Sequence, residues 1–356
     1  MRAQEEDAIM DRSALLTPHA SSYDAALSGV VFLEEPERGR IFMRGRDRAA
    51  LLHRLSTNDI ARLRPGEGTR TVLTTPIGRI IDLLHVYALD DALLLITSPG
   101  QGPLVFGHLR KNIFFNDQVT LEPAGRSHGQ FALYGPEAAA ALAALAQPSA
   151  VGLAPWGIIA GAEGVLVMRR EPIGGAGYTL LVPAARLAAT RVMLAAQAVQ
   201  LSPEDFEALR VEQGYGAFGR ELSQEYIPLE AGLRDAISFT KGCYVGQEII
   251  ARMDSRGRLA KRLMGLRLRP DDGRPAGGEG QEAFVHSLAG LALPAHLEAG
   301  SKEAGDLTSA IVSPRFGPIG LGYVRVASAT PGTVLRVAGV DMSAEVVELP
   351  FVREMA

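Results

Sequence analysis

The sequence predicts an α+β fold that ends in an antiparallel β-barrel, and three observations carry that prediction. Strand-like segments between residues 69 and 97 follow one another directly, as in a meander, with helical segments before and after them instead of alternating with parallel strands. The pattern of strand and helix restarts at Phe131. After Lys261 the helical periodicity fades, and short apolar runs alternate with turns rich in Gly and Pro. With 356 residues the chain is longer than the ~250 at which a single core stops growing. Three units are expected: residues 20–125 completed by 203–260, a second α/β unit at 126–202, and a barrel at 261–356.

Each element has a local cause. Residues 40–43 read as a strand, Gly45 as a turn, and 47–55 as a helix in which Leu51, Leu52 and Leu55 recur at helical spacing. Thr- and Val-rich residues 69–75, then 79–88 and 92–97, read as strands parted by the Pro76–Gly78 turn and by Asp90 and Asp91. A helix at 101–112 and a short strand at 119–121 complete this part. Next come a strand at 131–134, a helix opened by Gly135-Pro136 and running to about residue 145, strands at 165–169 and 178–182, and an Ala-rich helix. Ser202, Pro203 and Asp205 form a box-like helix start, which places a helix over 203–213. Barrel strands are expected at 263–268, 308–312, 319–326, 333–338 and 344–349, and the segment 271–306 as an insertion or mobile loop.

Composition narrows the function. The 47% hydrophobic and 21% charged residues describe a globular chain, and the net charge of −4 argues against a surface built wholly to grip nucleic acid. One cysteine cannot make an internal disulfide or hold a structural zinc, and the seven histidines show no ligand spacing, so no metal site is expected. Residues 138–162 lack charge but are mostly Ala and Gly broken by Pro148 and Pro155, a poor membrane span. Glu5, Glu6, Asp7 and Asp11 do not suit a secretory or transit leader, so the cytoplasm is the expected compartment. Gly214-Tyr215-Gly216-Ala217-Phe218-Gly219 matches a dinucleotide fingerprint in letters only: a helix precedes it where a strand is required, and a glycine-rich helix exit is the simpler account. No Gly-x-Ser-x-Gly elbow is present.

Three features carry chemistry. In Lys241-Gly242-Cys243-Tyr244-Val245-Gly246-Gln247-Glu248 the glycines allow a tight bend before a helix, a setting that lowers a thiol pKa; the alternative is a small buried hydrophobe. Glu212 falls beside the buried face of its helix and needs a partner, either a ligand or a structural cation such as Arg210 or a later Arg or Lys. Arg252, Arg256, Arg258, Lys261, Arg262, Arg267 and Arg269 form a basic run that suits a solvated face, a carboxylate ligand or RNA phosphates, but no aromatic in the run could stack bases.

Residues 241–248 followed by Arg252 resemble the signature of the YgfZ-type folate-binding proteins, relatives of the glycine-cleavage aminomethyltransferase linked to iron-sulfur cluster assembly and tRNA modification. Leu55-Ser56-Thr57-Asn58-Asp59-Ile60, the turn from Thr74 to Asp82, Arg210-Val211-Glu212-Gln213-Gly214, Ile227-Pro228-Leu229-Glu230-Ala231-Gly232-Leu233 and Gly320-Leu321-Gly322-Tyr323-Val324 follow in family order, so the resemblance covers most of the chain. It implies a three-domain clover leaf around a channel for tetrahydrofolate or a derivative. It also implies that Glu212 hydrogen-bonds the pterin, that Glu230, Lys241, Tyr244, Gln247 and Arg252 belong to the folate site, and that Cys243 is a functional thiol near the channel. Asp82 is the nearest match to the acid of true aminomethyltransferases, although Leu83 replaces the second acid of the usual pair.

The leading expectation is therefore a folate-binding accessory factor for iron-sulfur client or assembly proteins, with a link to tRNA-modifying iron-sulfur enzymes and with Cys243 as its reactive group. The alternative is a tetrahydrofolate-dependent aminomethyltransferase or related one-carbon transferase that uses Asp82.

Overall fold

The computed structural model describes residues 20–144, 152–257, 259–271, 284–288 and 290–355. The acidic N-terminal residues, Arg258 and the glycine-rich part of the expected loop (272–283) lie outside the described residues. In chain order the first elements are α1 (Ala20–Ser28), β1 (Val31–Glu34), β2 (Arg38–Arg44), α2 (Arg48–Leu55), β3 (Gly68–Thr74), β4 (Ile80–Ala88), β5 (Ala92–Pro99), α3 (Gly102–Lys111) and β6 (Thr120–Pro123). Strands β2 to β6 form an antiparallel sheet in the order β3-β4-β5-β2-β6. The meander read from the sequence is its β3-β4-β5 half.

The second group comprises β7 (His128–Gly135), α4 (Ala138–Ala144), β8 (Ile158–Ala160), β9 (Leu166–Ile173), β10 (Gly175–Pro183), α5 (Leu187–Ala195) and β11 (Val199–Gln200). With β1 these strands make a six-stranded sheet in the order β11-β1-β7-β10-β9-β8. The two sheets pack face to face, and β5 shows how. Its apolar run puts Leu93 and Leu95 against Leu51, Leu52, Val105 and Leu109 of α2 and α3, while Leu94 and Ile96 meet Met168 and Leu181 of the second sheet. A period of two places alternate residues on opposite faces, and both faces here are covered, so the run is continuous instead of alternating. Helices α4 and α5 cover the far side of the second sheet through Leu142 and Leu194.

Helix α6 (Pro203–Glu212) starts as its sequence demands, with Ser202 Oγ accepting from the Asp205 amide at 3.1 Å. Helix α7 (Gln247–Arg256) follows a long connection. The barrel strands are β12 (Lys261–Pro270), β13 (Ala295–Ala299), β14 (Lys302–Ser313), β15 (Gly317–Arg325), β16 (Val334–Val337) and β17 (Met342–Val347), closed in the order β12-β15-β14-β13-β16-β17.

The stretch expected as a loop over 271–306 is loop only in part: β13 and the start of β14 lie inside it, and β13 closes the barrel by pairing with β14 and β16. Only Ala295 and Leu297 of its five side chains are buried, too weak an apolar signal to mark a strand that is held by hydrogen bonds on both edges. The basic run is partly explained by β12, where Arg267 and Arg269 alternate with the buried Met264, Leu266 and Leu268 and Arg269 pairs with Glu345 at 3.0 Å. No helix among the described residues is long and apolar enough to cross a membrane.

Candidate functional site

The two sheets, the exit of α6 and the first barrel strand enclose a cavity of about 600 Å3, within the range of small-molecule sites. The first sheet contributes Arg38, Arg70, Leu83, His85 and Ser98; the second contributes Tyr134, Arg170 and Glu171; α6 and its exit contribute Glu207, Arg210 and the run from Gln213 to Phe218; β12 contributes Arg262. Six arginines and three glutamates, Glu171, Glu207 and Glu348, line it. The excess of cations suits a ligand that carries carboxylates.

Most of these charges are already organised. Arg170 is buried on β9 in phase with Met168; its Nη1 donates to Glu35 Oε2 at 2.8 Å and its Nη2 to Glu171 Oε1 at 3.1 Å. Burial alone would raise the Glu35 carboxyl, but the guanidinium groups of Arg170 and Arg38 outweigh it and hold it down to about 2. Glu171 likewise sits well below the usual carboxylate range, because the guanidinium groups of Arg170 and Arg38 overcome its burial. Burial pushes His85 down to about 3, so its imidazole is neutral at physiological pH. Burial would also raise Glu207, but Arg210 and Arg220 hold it down to about 2.

Around Cys243 the structure brings together three segments on which the family resemblance rests. The Lys241 ammonium is buried and donates to the carbonyls of His53, Ser56 and Asn58 at the end of α2, and burial pushes it down to about 8. The Val245 amide donates to Arg54 O at 3.1 Å and Thr74 Oγ1 donates to Val245 O at 2.6 Å. Gly246 has φ +84°, and a Cβ there would stand 2.8 Å from Thr75 O, so this position requires glycine. On this braced loop Cys243 is exposed, and it is not among the residues lining the cavity.

The other sequence-predicted residues also lie off the cavity wall. Tyr244 packs with Ile237 and Ile250, Gln247 opens α7, and Arg252 is exposed on that helix. Glu230 is buried, and its carboxylate accepts from the Ile227 amide at 3.2 Å. Glu212 has both oxygens engaged: Oε1 accepts from Tyr23 and Ser313, and Oε2 from Arg315. Its partner is thus a later arginine, while Arg210 pairs with Glu207 and Glu221. Asp82 is fully buried on β4, where Oδ2 accepts from the Ser98 amide at 3.1 Å and Oδ1 from its neighbour Leu83 at 3.0 Å. Burial raises its carboxyl to about 6. The side chain that reaches the cavity wall at this point of β4 is Leu83.

Sequence reasoning missed the cavity's own residues. Gly214 to Phe218, read as a plain helix exit, forms one wall. Arg169-Arg170-Glu171 places three charges inside an otherwise apolar strand, a signal available from the sequence, but no spacing rule links Arg170 to Tyr134, His85 or Arg38 on other strands.

Two facing sheets and a closed barrel border an arginine-rich cavity of small-molecule size in an α+β protein. The comparisons make the class specific. The family model described as the GCVT N-terminal domain matches residues 12–241, and the glycine cleavage T-protein C-terminal barrel domain matches residues 261–353. The chain belongs to this glycine-cleavage T-protein family. A relative from Arabidopsis thaliana, named "Putative transferase At1g60990, chloroplastic", is 33% identical over 92% of this chain and 72% of its own length. An aminomethyltransferase from Halothermothrix orenii is 28% identical over 88% and 86%. The crystal structure of the glycine cleavage system aminomethyltransferase T from Bartonella henselae superposes with a TM-score of 0.80 at 20% identity, covering 93% of this chain and 89% of the other, a likeness of fold.

Proposed function

We propose that this chain is a tetrahydrofolate-binding accessory factor of the YgfZ type that serves iron-sulfur proteins in the cytoplasm, tRNA-modifying enzymes among them. The observation that carries this is a solvent-exposed thiol, Cys243, on a loop fixed by a buried ammonium and an obligatory glycine, in a molecule whose separate cavity has the size and charge for a folate. Cavity and thiol then have different tasks: the first binds the folate, the second meets a client.

Two measurements test this. A reduced folate at 100 times its Kd should add about 2.7 kcal/mol to the stability of the native state; no thermal shift with any reduced folate would remove the ligand. Cys243→Ala should leave folding and folate binding unchanged, because the side chain is exposed, and should abolish support of cluster-dependent enzymes in a strain lacking the native gene. Full complementation by the variant would reject the thiol's role.

A second reading, a folate-dependent one-carbon transferase, is favoured by Asp82, whose carboxyl near 6 suits proton transfer at neutral pH, and by the names of the relatives. Leu83 on the cavity wall, with Asp82 bonded to Ser98, counts against it. Here Asp82→Asn should abolish methylene transfer and Cys243→Ala should spare it; absence of any transfer from amine donors by the purified protein would exclude it.

A further inference from the structure

An exposed cluster of large apolar side chains is more informative than a single one, since globular proteins keep such clusters small unless something binds there. The three exposed phenylalanines among the described residues, Phe114, Phe115 and Phe239, all belong to segments tied to the loop that carries Cys243. Residues 241–245 sit on the end of α2: the Lys241 ammonium donates to Ser56 O and Asn58 O at 2.7 Å, and the Val245 amide to Arg54 O at 3.1 Å. From that same turn the Arg54 side chain reaches the loop after α3. Its guanidinium lies 4.9 Å from the centre of the Phe114 ring and donates to Asn112 O at 3.2 Å and to Asp117, whose Oδ2 accepts from the Phe114 amide at 2.8 Å. Phe115, next in the chain, has its side chain wholly in solvent. Phe239 precedes Cys243 in the loop itself, with the Arg234 guanidinium 4.5 Å from its ring centre and Arg234 tied to Asp254 of α7 at 2.6 Å. Exposed Ile77 completes the set: it adjoins Gly78, whose Cα would stand 3.0 Å from a Cβ on Gly246.

These contacts hold the side chains in place before anything binds, which removes part of the ordering cost of association. Charge says what fits. The acids Asp117, Asp235 and Asp254 are each paired with an arginine, while Arg110 and Lys111 at the end of α3 and Arg252 on α7 are exposed, with Glu248 the further exposed acid beside them. The surplus is cationic, so a second copy of the same face, related by two-fold symmetry, would set like charges against each other. A lipid or nucleic-acid surface would suit cations and aromatic rings but would leave the thiol beside them unused.

We propose that Phe114, Phe115, Phe239 and Ile77, with Arg110, Lys111 and Arg252, form the docking face for a client protein whose surface offers an apolar hollow rimmed by carboxylates, and that docking there brings the client to the Cys243 thiol. This rests on the accessory-factor reading and adds the chemistry of the partner: the aromatic anchors enter the hollow and the cations meet its rim.

The test uses the full chain in a strain lacking the native gene, with cluster-dependent enzyme activity as the readout, beside the purified protein. Phe115→Asp puts a carboxylate where the anchor stood, and Arg110→Glu combined with Lys111→Glu reverses the charge around it. Each should lower the supported activity about ten-fold or more, whereas Phe115→Leu, which keeps an apolar side chain, should retain most of it. The purified variants should melt close to the unaltered protein and keep both its thermal shift with tetrahydrofolate and the rate at which N-ethylmaleimide labels Cys243, because these side chains are exposed and off the cavity wall. If neither charge-changing variant lowers activity while Cys243→Ala abolishes it, the docking face is elsewhere and only this inference falls. If Cys243→Ala supports full activity, the accessory-factor reading falls and this inference with it. If the unaltered protein dimerises, or binds vesicles of anionic phospholipid or bulk tRNA, and loses that property with Phe115→Asp, the occupant is not a client protein and the inference is overturned.

Discussion

Arg170→Met is expected to destabilise the protein by about 3–5 kcal/mol at neutral pH, the cost of removing one partner from a buried ionic group. Arg170 is buried and holds two carboxylates, Glu35 in the turn after β1 and Glu171 on β9, both largely withdrawn from water. The pH dependence gives a second signature. In the native protein the Glu35 carboxyl is held at about 2, below its ordinary 4.5. Its contribution is therefore complete above about pH 4.5 and is lost as pH falls through 2, and the gap is worth roughly 3 kcal/mol. Without Arg170 the carboxyls return toward or above their ordinary values, so the deficit of the variant should be largest at pH 7 and should shrink as the pH falls toward 3. Urea denaturation at a series of pH values measures both quantities. A deficit below about 1 kcal/mol, or one that does not change with pH, would show that the pair is not what holds this wall of the cavity together.

The second large effect is expected at Glu221. Its side chain is fully buried; Oε1 accepts from Thr308 at 2.7 Å and from Ser309 at 2.6 Å, while Oε2 accepts from the Ala217 amide at 2.8 Å and from Arg210 at 3.3 Å. One carboxylate thus ties the cavity-lining loop after α6 to barrel strand β14. Glu221→Ala should cost about 3 kcal/mol, since it leaves the Ser309 hydroxyl and the Ala217 amide short of an acceptor, although Thr308 keeps the Leu321 carbonyl and Arg210 keeps Glu207. It should also weaken binding of whatever the cavity holds, because Gly214 to Phe218 loses its anchor while touching the ligand space directly. Denaturation and ligand titration on the same variant separate the two effects. Unchanged affinity alongside lowered stability would show that the loop keeps its shape without the barrel.

Much of the architecture was legible because its causes are local. The Ser202 cap, the apolar run of β5 and the alternation of β12 are each written in a few consecutive residues and recur in the structure. Strand β13 was not legible, because its stability comes from neighbours on both edges and not from its own side chains. Nor was the placement of β1, four residues that join the second sheet beside β7 although they precede the whole first sheet in the chain.

For the candidate site the division falls differently. The sequence by itself determined that Cys243 sits at a glycine-dependent bend before a helix, because Gly246 and the start of α7 are features of one short segment. It also determined that Glu212 must have a partner, since a carboxylate beside a buried helix face cannot remain unpaired. Only the tertiary structure decided which partner, by bringing Arg315 from the barrel and Tyr23 from α1. Only the tertiary structure assembled the cavity, whose Arg38, His85, Tyr134, Arg170 and Arg210 come from five separate elements. The physical reason is range: a cap, a turn or an alternating strand is fixed by contacts between near neighbours in the chain, whereas the walls of a cavity converge only after distant strands have packed, and no periodicity encodes where those strands meet.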